Sequence, residues 1–131
     1  MVCLTPIPPE KLHEVWEWVR VGLLHIKRKQ NETWLPEDVY YQLRNKTAFL
    51  SVIDDKGFIV YQILPGDDFR GVLHIWCMWG ALKPYQKQIE DELDEYARKL
   101  GVRCIRVVGR KGWGRLPYFE TKGYVYERSI G

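Results

Sequence analysis

The chain has 131 residues and a formal net charge of +3, from 20 basic and 17 acidic side chains. This length fits one domain spanning residues 1–131, and with 46% apolar and only 28% charged residues the composition excludes intrinsic disorder. The basic excess is mild and interspersed with acids, which argues against a nucleic-acid partner, because such partners select a concentrated basic face.

The three cysteines, Cys3, Cys77 and Cys104, are far apart and lie among apolar neighbours. Their spacing predicts neither a disulfide framework nor a metal site, and it favours a reducing compartment such as the cytoplasm of a host cell. We expect no signal peptide and no membrane span, since no apolar run approaches about 18 residues. Six tryptophans and eight tyrosines are many for this length; these residues are enriched in well-packed cores and at protein–protein interfaces, and they favour a protein partner.

The first part of the chain predicts a strand and two helices. Residues 2–5 form a short strand, which the prolines at 6, 8 and 9 should end. Helical spacing of apolar side chains then runs from Leu12 to Ile26, and Pro36 followed by two acids indicates the start of a second helix.

Three strands are predicted next, over residues 48–53, 58–64 and 72–79, as an antiparallel meander. Strict alternation along the third strand places three side chains on one face: His74, Trp76 and Met78. The opposite face then carries Leu73, Ile75, Cys77 and Trp79.

The remaining chain predicts a helix opened by Pro84 and ended by Gly101, a buried strand over 104–108, a short helix over 116–122 and a last strand over 124–129. A strand, a helix and a strand in succession imply a parallel crossover. The element order is therefore β-α-α-β-β-β-α-β-α-β. It predicts an α/β (α+β) domain with a mixed sheet of six to seven strands and helices on both faces.

A loop rich in glycine and arginine follows the 104–108 strand. Arg110, Trp113 and Arg115 lie there, at the carboxyl end of a parallel strand, where ligands of α/β sheets often bind. The loop is a candidate for holding an anion or an acidic side chain of a partner. A glycine-shaped turn with solvated charges explains it equally well.

The segment YFETKGY at residues 118–124 resembles the late helix-to-strand signature of the GNAT (N-acetyltransferase-like) superfamily. The helix after Pro84 is similar as well, because Leu93, Ala97 and Gly101 fall where that family places its apolar stripe and terminal glycine. The resemblance extends over nearly the whole chain. Within that superfamily, the chain resembles short, tryptophan-rich GNAT-like proteins of tailed phages and prophages.

In the GNAT family a glycine-rich loop before this helix holds the acetyl-CoA pyrophosphate. Here the glycine positions of that pattern are Leu82, Pro84 and Gln86, so the pattern is absent. The resemblance makes four residues the cofactor-binding candidates: Trp79, Gly80, Lys83 and Lys87. The two lysines would contact phosphates as point charges, although two solvated lysines at a helix start are the more ordinary interpretation.

Many family members use a tyrosine of the late helix to protonate the departing thiolate. That position is Phe119 here, which leaves the neighbouring Tyr118 as the candidate acid. His74 is the candidate base for the acceptor amine. A structural histidine and a core aromatic remain the alternative interpretations of the two residues.

The sequence thus leads to two hypotheses. The favoured one is a non-catalytic, protein-binding member of the fold, associated with a phage virion or accessory to it. The alternative is a small N-acyltransferase that transfers an acetyl group from acetyl-CoA to an amine.

Overall fold

A computed structural model describes residues 3–30, 32–65, 71–108, 120–122 and 125–129. The described chain forms seven strands of one sheet, three α-helices and two 3-10 helices. In chain order they are β1 (Leu4–Ile7), a 3-10 helix (Pro9–Glu14), α1 (Trp16–Gln30), α2 (Pro36–Arg44), β2 (Phe49–Ile53), β3 (Gly57–Leu64), β4 (Val72–Gly80), a second 3-10 helix (Lys83–Tyr85), α3 (Gln86–Leu100), β5 (Cys104–Val108), β6 (Glu120–Lys122) and β7 (Val125–Ser129).

The sheet is mixed, with strand order β1-β2-β3-β4-β5-β7-β6. β4 and β5 pair in parallel, and the other neighbours pair antiparallel. α3 connects the parallel pair, because a chain that leaves one end of β4 must return to the other end before it can run parallel to it. The predicted α/β class, the mixed sheet and this crossover are confirmed.

Helices cover both faces of the sheet, so the domain has two cores. The first core, under α1 and α2, includes Leu12, Val19, Leu23, Val39, Leu43, Leu50, Phe58, Val60 and Cys77. The second core, under α3, includes Ile53, Ile59, Tyr61, Leu73, Ile75, Ile89, Leu93, Ala97, Ile105 and Val107. α3 ends as predicted, with Gly101 in a left-handed conformation at φ 74°.

The beginning of the chain departs from the prediction in two places. Pro6 lies inside β1 rather than ending it, which is tolerated because β1 is the edge strand and a proline there removes no ladder hydrogen bond that a neighbour needs. The predicted first helix is interrupted at Val15, whose φ of −120° separates the 3-10 helix from α1.

The predicted late helix over residues 116–122 is wrong at its carboxyl end. Residues 120–122 form β6, which pairs antiparallel with β7 from Lys122↔Val125 to Glu120↔Glu127. Ladder pairing with β7 gives the backbone of residues 120–122 hydrogen-bond partners that a helix would otherwise supply within the segment. Residues 116–119, Gly123 and Tyr124 lie outside the described residues.

Candidate functional site

The candidate site is a gap between the two parallel strands. β4 and β5 pair from Val72↔Cys104 to Ile75↔Val107, and β4 then continues to Gly80. Within the described part of the chain, residues 76–80 therefore have a partner strand only on the β3 side. Their other edge presents backbone N–H and C=O groups that can accept an extended ligand, as any free strand edge can.

A β-bulge lies where the two strands separate. Cys77 pairs with Val60 and Ile75 with Tyr61, so Trp76 is an extra residue on β4. A bulge bends its strand and increases the local twist, which directs β4 away from β5.

The bulge makes the predicted face assignment wrong beyond Trp76. Cys77 and Trp79 pack with Trp76 against the core under α1 and α2, whereas Met78 packs against the core under α3. The extra residue shifts the alternation by one position, so every side chain after it changes face. His74 lies before the bulge and keeps the face opposite to Leu73 and Ile75, as predicted.

Two tryptophans form a wall beside the gap on the α1–α2 face. Trp76 comes from the bulge and Trp34 from the segment between α1 and α2; their ring centroids are 6.1 Å apart and their planes meet at 70°. Both side chains are half-buried. We call this pair the tryptophan wall.

Glu32, on the same connecting segment, lies near enough to Cys77 to affect it. Burial is the main cause that raises the pKa of the Cys77 thiol, and the negative charge of Glu32 raises it further. The half-buried carboxylate of Glu32 thus lies within electrostatic range of Cys77, the residue that follows Trp76 on β4.

His74 lies between Gln62 on β3 and Arg106 on β5 in the strand register. Its side chain is half-buried, and Nδ1 has no hydrogen-bond partner among the described residues. Burial lowers the pKa of His74, and the positive charge of Arg106 lowers it further. The imidazole is therefore neutral near pH 7 and able to accept a proton.

Trp79 and Gly80 both have packing roles. The Trp79 ring lies 5.8 Å from Trp18 and 5.6 Å from Phe58 between ring centroids. Gly80 has φ 131°, and a Cβ there would meet the carbonyl oxygen of Lys56 and come within 2.5 Å of the Gly57 Cα. Only glycine allows the end of β4 to pass this close to the β2–β3 turn.

Lys83 and Lys87 flank the start of α3 and are exposed. Lys83 begins the 3-10 helix, and the Lys87 Nζ lies 3.0 Å from the Asp91 Oδ1 one turn further along α3. The N–H of Tyr85 already donates to Leu82, and Pro84 has no N–H to offer. This start of α3 offers an anion fewer backbone donors than a glycine loop would.

The structure thus brings His74 close to the gap and places Lys83 and Lys87 at the start of α3. Tyr118, Arg110, Trp113 and Arg115 lie outside the described residues. The sequence did not single out Trp34 or Glu32, because nothing local to residues 32–34 shows that this segment returns to the bulge of β4.

Solved structures similar to this chain share one architecture. A GNAT family acetyltransferase from Brucella melitensis, in complex with acetyl-CoA, is 17% identical, with a TM-score of 0.70 over 100% of this chain and 89% of that one. An acetyltransferase of the GNAT family from Staphylococcus aureus is 11% identical, with a TM-score of 0.66 over 100% of both chains. The chain has the GNAT acetyltransferase fold.

A further structure with the GNAT fold, the PaiA N-acetyltransferase from Thermoplasma acidophilum in complex with coenzyme A, is 14% identical, with a TM-score of 0.59 over 98% of this chain and 99% of that one. No protein-family model and no curated protein sequence matches the chain. At these identities the likeness shows the GNAT fold alone.

The described ranges contain neither a metal site nor a membrane-spanning helix. No group of three or more His, Cys, Asp and Glu side chains is arranged there to hold a metal ion. None of the helices described has both the length and the apolar composition to cross a membrane.

Proposed function

We propose that the chain is an N-acyltransferase that uses acetyl-CoA to acetylate an amine. The observation that carries this proposal is the gap between β4 and β5, with its bulge at Trp76 and an edge of residues 76–80 that no described strand pairs with. Two of the GNAT-fold structures that resemble it contain acetyl-CoA or CoA.

The residues present fit the two ends of such a ligand unequally. The free edge of β4 offers N–H and C=O groups to the amides of the pantetheine arm, as a sheet edge does to a peptide. The phosphates would rely on Lys83 and Lys87 together with the positive end of α3, without the family's glycines. Bound acetyl-CoA would supply an acyl thioester activated towards amines.

The chain's own residues have separate tasks in this proposal. The neutral His74 imidazole takes a proton from the amine, directly or through one water. The tryptophan wall and the Glu32 carboxylate attract an amine that is still protonated, since a cation is favoured by aromatic faces and by a nearby negative charge. Tyr118 stays our candidate for the acid that protonates the departing CoA thiolate.

Titration calorimetry with acetyl-CoA tests the binding step. We expect heat of binding for the wild type and an affinity about fivefold lower for Lys83→Ala, because one exposed charge contact is lost. Lys11→Ala, an exposed lysine of the first 3-10 helix, serves as the matched control and should bind like the wild type. Absence of both heat and a thermal shift with the wild type would contradict the proposal.

Mass spectrometry of a panel of primary amines incubated with acetyl-CoA tests the chemical step. His74→Asn should lower kcat about a hundredfold or more while leaving acetyl-CoA affinity unchanged, because the base acts on the amine alone. A His74→Asn enzyme as fast as the wild type would remove His74 from the mechanism.

A second candidate function is binding to a protein without catalysis, as in the phage-type role that the sequence favoured. Its support is the proline in place of a loop glycine at residue 84 and the exposure of apolar side chains on α1 and α2: Val21 is 59% exposed and Tyr41 68%. A defined complex that Tyr41→Ala disrupts, formed by a protein that gives no heat with acetyl-CoA, would favour this function.

A further inference from the structure

A pocket separate from the β4–β5 gap lies on the face of the sheet opposite to α1 and α2. It opens to solvent between α3 and strands β1 to β3, with a cavity volume of about 240 Å³. Its walls are Leu4, Ile59, Tyr61, Leu93 and Tyr96, and Ser51 lies in its floor. Neither the proposed acetyl transfer nor the cofactor edge uses any of these side chains.

The pocket exists because the row of side chains that crosses β1, β2 and β3 beneath α3 contains the short side chain of Ser51. Pro6, Ser51 and Ile59 follow one another across β1, β2 and β3 in the strand register. Ser51 is only 5% exposed, yet its side chain is too short to fill the space beneath α3. Leu93 and Ala97 hold α3 against the central strands, so the helix does not close over this row.

A chain of hydroxyl groups runs from the floor to the wall. The Tyr61 hydroxyl donates to the Tyr96 hydroxyl at 3.0 Å, and the Ser51 hydroxyl bonds to Tyr61. Burial is the main cause that raises the pKa of Tyr61; donation to Tyr96 raises it further, and the bond with Ser51 lowers it. These directions fit Ser51 as donor to Tyr61.

The direction of these hydrogen bonds leaves the Tyr96 hydroxyl able to donate to a ligand. Because Tyr96 accepts the proton of Tyr61, its own proton is available to an acceptor in the cavity. Tyr61 itself is fixed, being 4% exposed and stacked on Phe49 with ring centroids 5.6 Å apart. The Tyr96 hydroxyl is therefore one hydrogen-bond donor facing a cavity whose walls are otherwise apolar.

The charges at the mouth of the pocket are mixed. Glu92, Glu95 and Lys99 line it on the α3 side, and Glu92 accepts the N–H of Leu4 at 2.9 Å. Two carboxylates beside one ammonium disfavour an anionic ligand. The bond to Leu4 and the lysine four residues after Glu95 leave little unbalanced charge to select a cation.

We propose that this pocket binds a neutral molecule of about one ring in size, through one oxygen that accepts a hydrogen bond from Tyr96. The cavity is smaller than the roughly 300–1,000 Å³ of sites that hold drug-sized ligands, which limits the occupant to a single ring with a short substituent. The apolar walls contribute affinity, and the hydroxyl selects the oxygen.

NMR titration of the full chain with three matched probes tests the proposal: acetophenone, ethylbenzene and benzoate. Acetophenone should shift the methyl signals of Leu4, Ile59 and Leu93, and bind about fivefold more tightly than ethylbenzene, which lacks the oxygen. Benzoate should bind more weakly than acetophenone, because the mouth carries two carboxylates.

Substitutions at Tyr96 and Ser51 locate the binding, with Tyr41→Phe as the control. Tyr96→Phe should remove the preference for acetophenone and leave ethylbenzene affinity unchanged, whereas Tyr41→Phe, on the other face, should change neither. Ser51→Leu should abolish binding of both by filling the cavity, and Ser51→Val replaces it if the leucine prevents folding. Equal affinities for acetophenone and ethylbenzene in the wild type, or a preference that survives in Tyr96→Phe, would overturn the proposal.

Discussion

The chemistry of His74 is set by its neighbours in the sheet rather than by its neighbours in the chain. Leu73 and Ile75 beside it in sequence point to the other face, while Gln62 and Arg106 flank it across the strands. Burial and the charge of Arg106 both act against the protonated imidazole. A histidine in the same local sequence on an exposed edge strand would experience neither effect.

The lowered pKa of His74 predicts a loss of stability in mild acid. The unfolded chain takes up this proton near pH 6.5 while the folded chain does not, so the contribution is complete above that pH and is lost as the pH falls below it. Urea unfolding should be measured at pH 7.5, 6.5 and 5.5. As the pH falls, the free energy of unfolding of His74→Asn should rise relative to that of the wild type by at most about 1.4 kcal/mol per pH unit.

The exposed His25 provides the control for that series, since it contacts solvent in both states. His25→Asn should follow the pH profile of the wild type. Parallel profiles for the wild type and His74→Asn would contradict the assignment of the acid sensitivity to His74.

At the level of elements, glycines at the ends of β4 and α3 serve different purposes. Gly101 ends α3 in the left-handed region, and a Cβ there would meet nothing within 4 Å. Gly80 combines a positive φ with close backbone contacts to the β2–β3 turn. Gly101 is required only for its left-handed backbone conformation, whereas Gly80 is required both for its positive φ and because a side chain would clash with the turn.

Alanine substitutions separate these two needs. Gly101→Ala should lower the free energy of unfolding by about 1–2 kcal/mol, the cost of a left-handed alanine. Gly80→Ala should cost about 3 kcal/mol or more, because the backbone around Lys56 must move as well. Urea unfolding at neutral pH measures both, and equal losses would show that the contact with the turn is unimportant.

For the molecule as a whole, the sheet separates two cores that share few partners. Ile26 is buried on the inner side of α1, and Ile89 is buried on the inner side of α3. Ile75, on β4, lies in the same core as Ile89. Contacts within one core are therefore expected to be coupled, and contacts in different cores to be independent.

Isoleucine-to-valine substitutions test this independence. Ile26→Val and Ile89→Val should each cost about 0.5–1.5 kcal/mol, and the double variant should equal their sum to within about 0.5 kcal/mol. Ile75→Val combined with Ile89→Val, both in the core under α3, should depart further from additivity. Chemical denaturation of the five variants gives the comparison, and the reverse order of coupling would contradict it.

Much of this architecture follows from local signals. The apolar stripe from Ile89 to Ala97 and the glycine at residue 101 define α3 without any tertiary information. A strand before it and a strand after it then require a parallel pair. The prediction that Pro6 ends the first strand was wrong. A strand tolerates proline when it lies at the edge of a sheet, and the order of elements along the chain does not say which strand is at the edge.

The sequence by itself determined the number and order of the strands and α-helices up to β5, and hence the class of the fold, because helix and strand periodicities are properties of neighbouring residues. Only the tertiary structure decided the bulge at Trp76, the gap beyond Ile75, the return of Trp34 to β4 and the cavity over Ser51. Each of these depends on how segments pair or pack with one another, which local periodicity does not specify. A bulge inserted by pairing with β3 leaves no mark on the apolar run of residues 75–79.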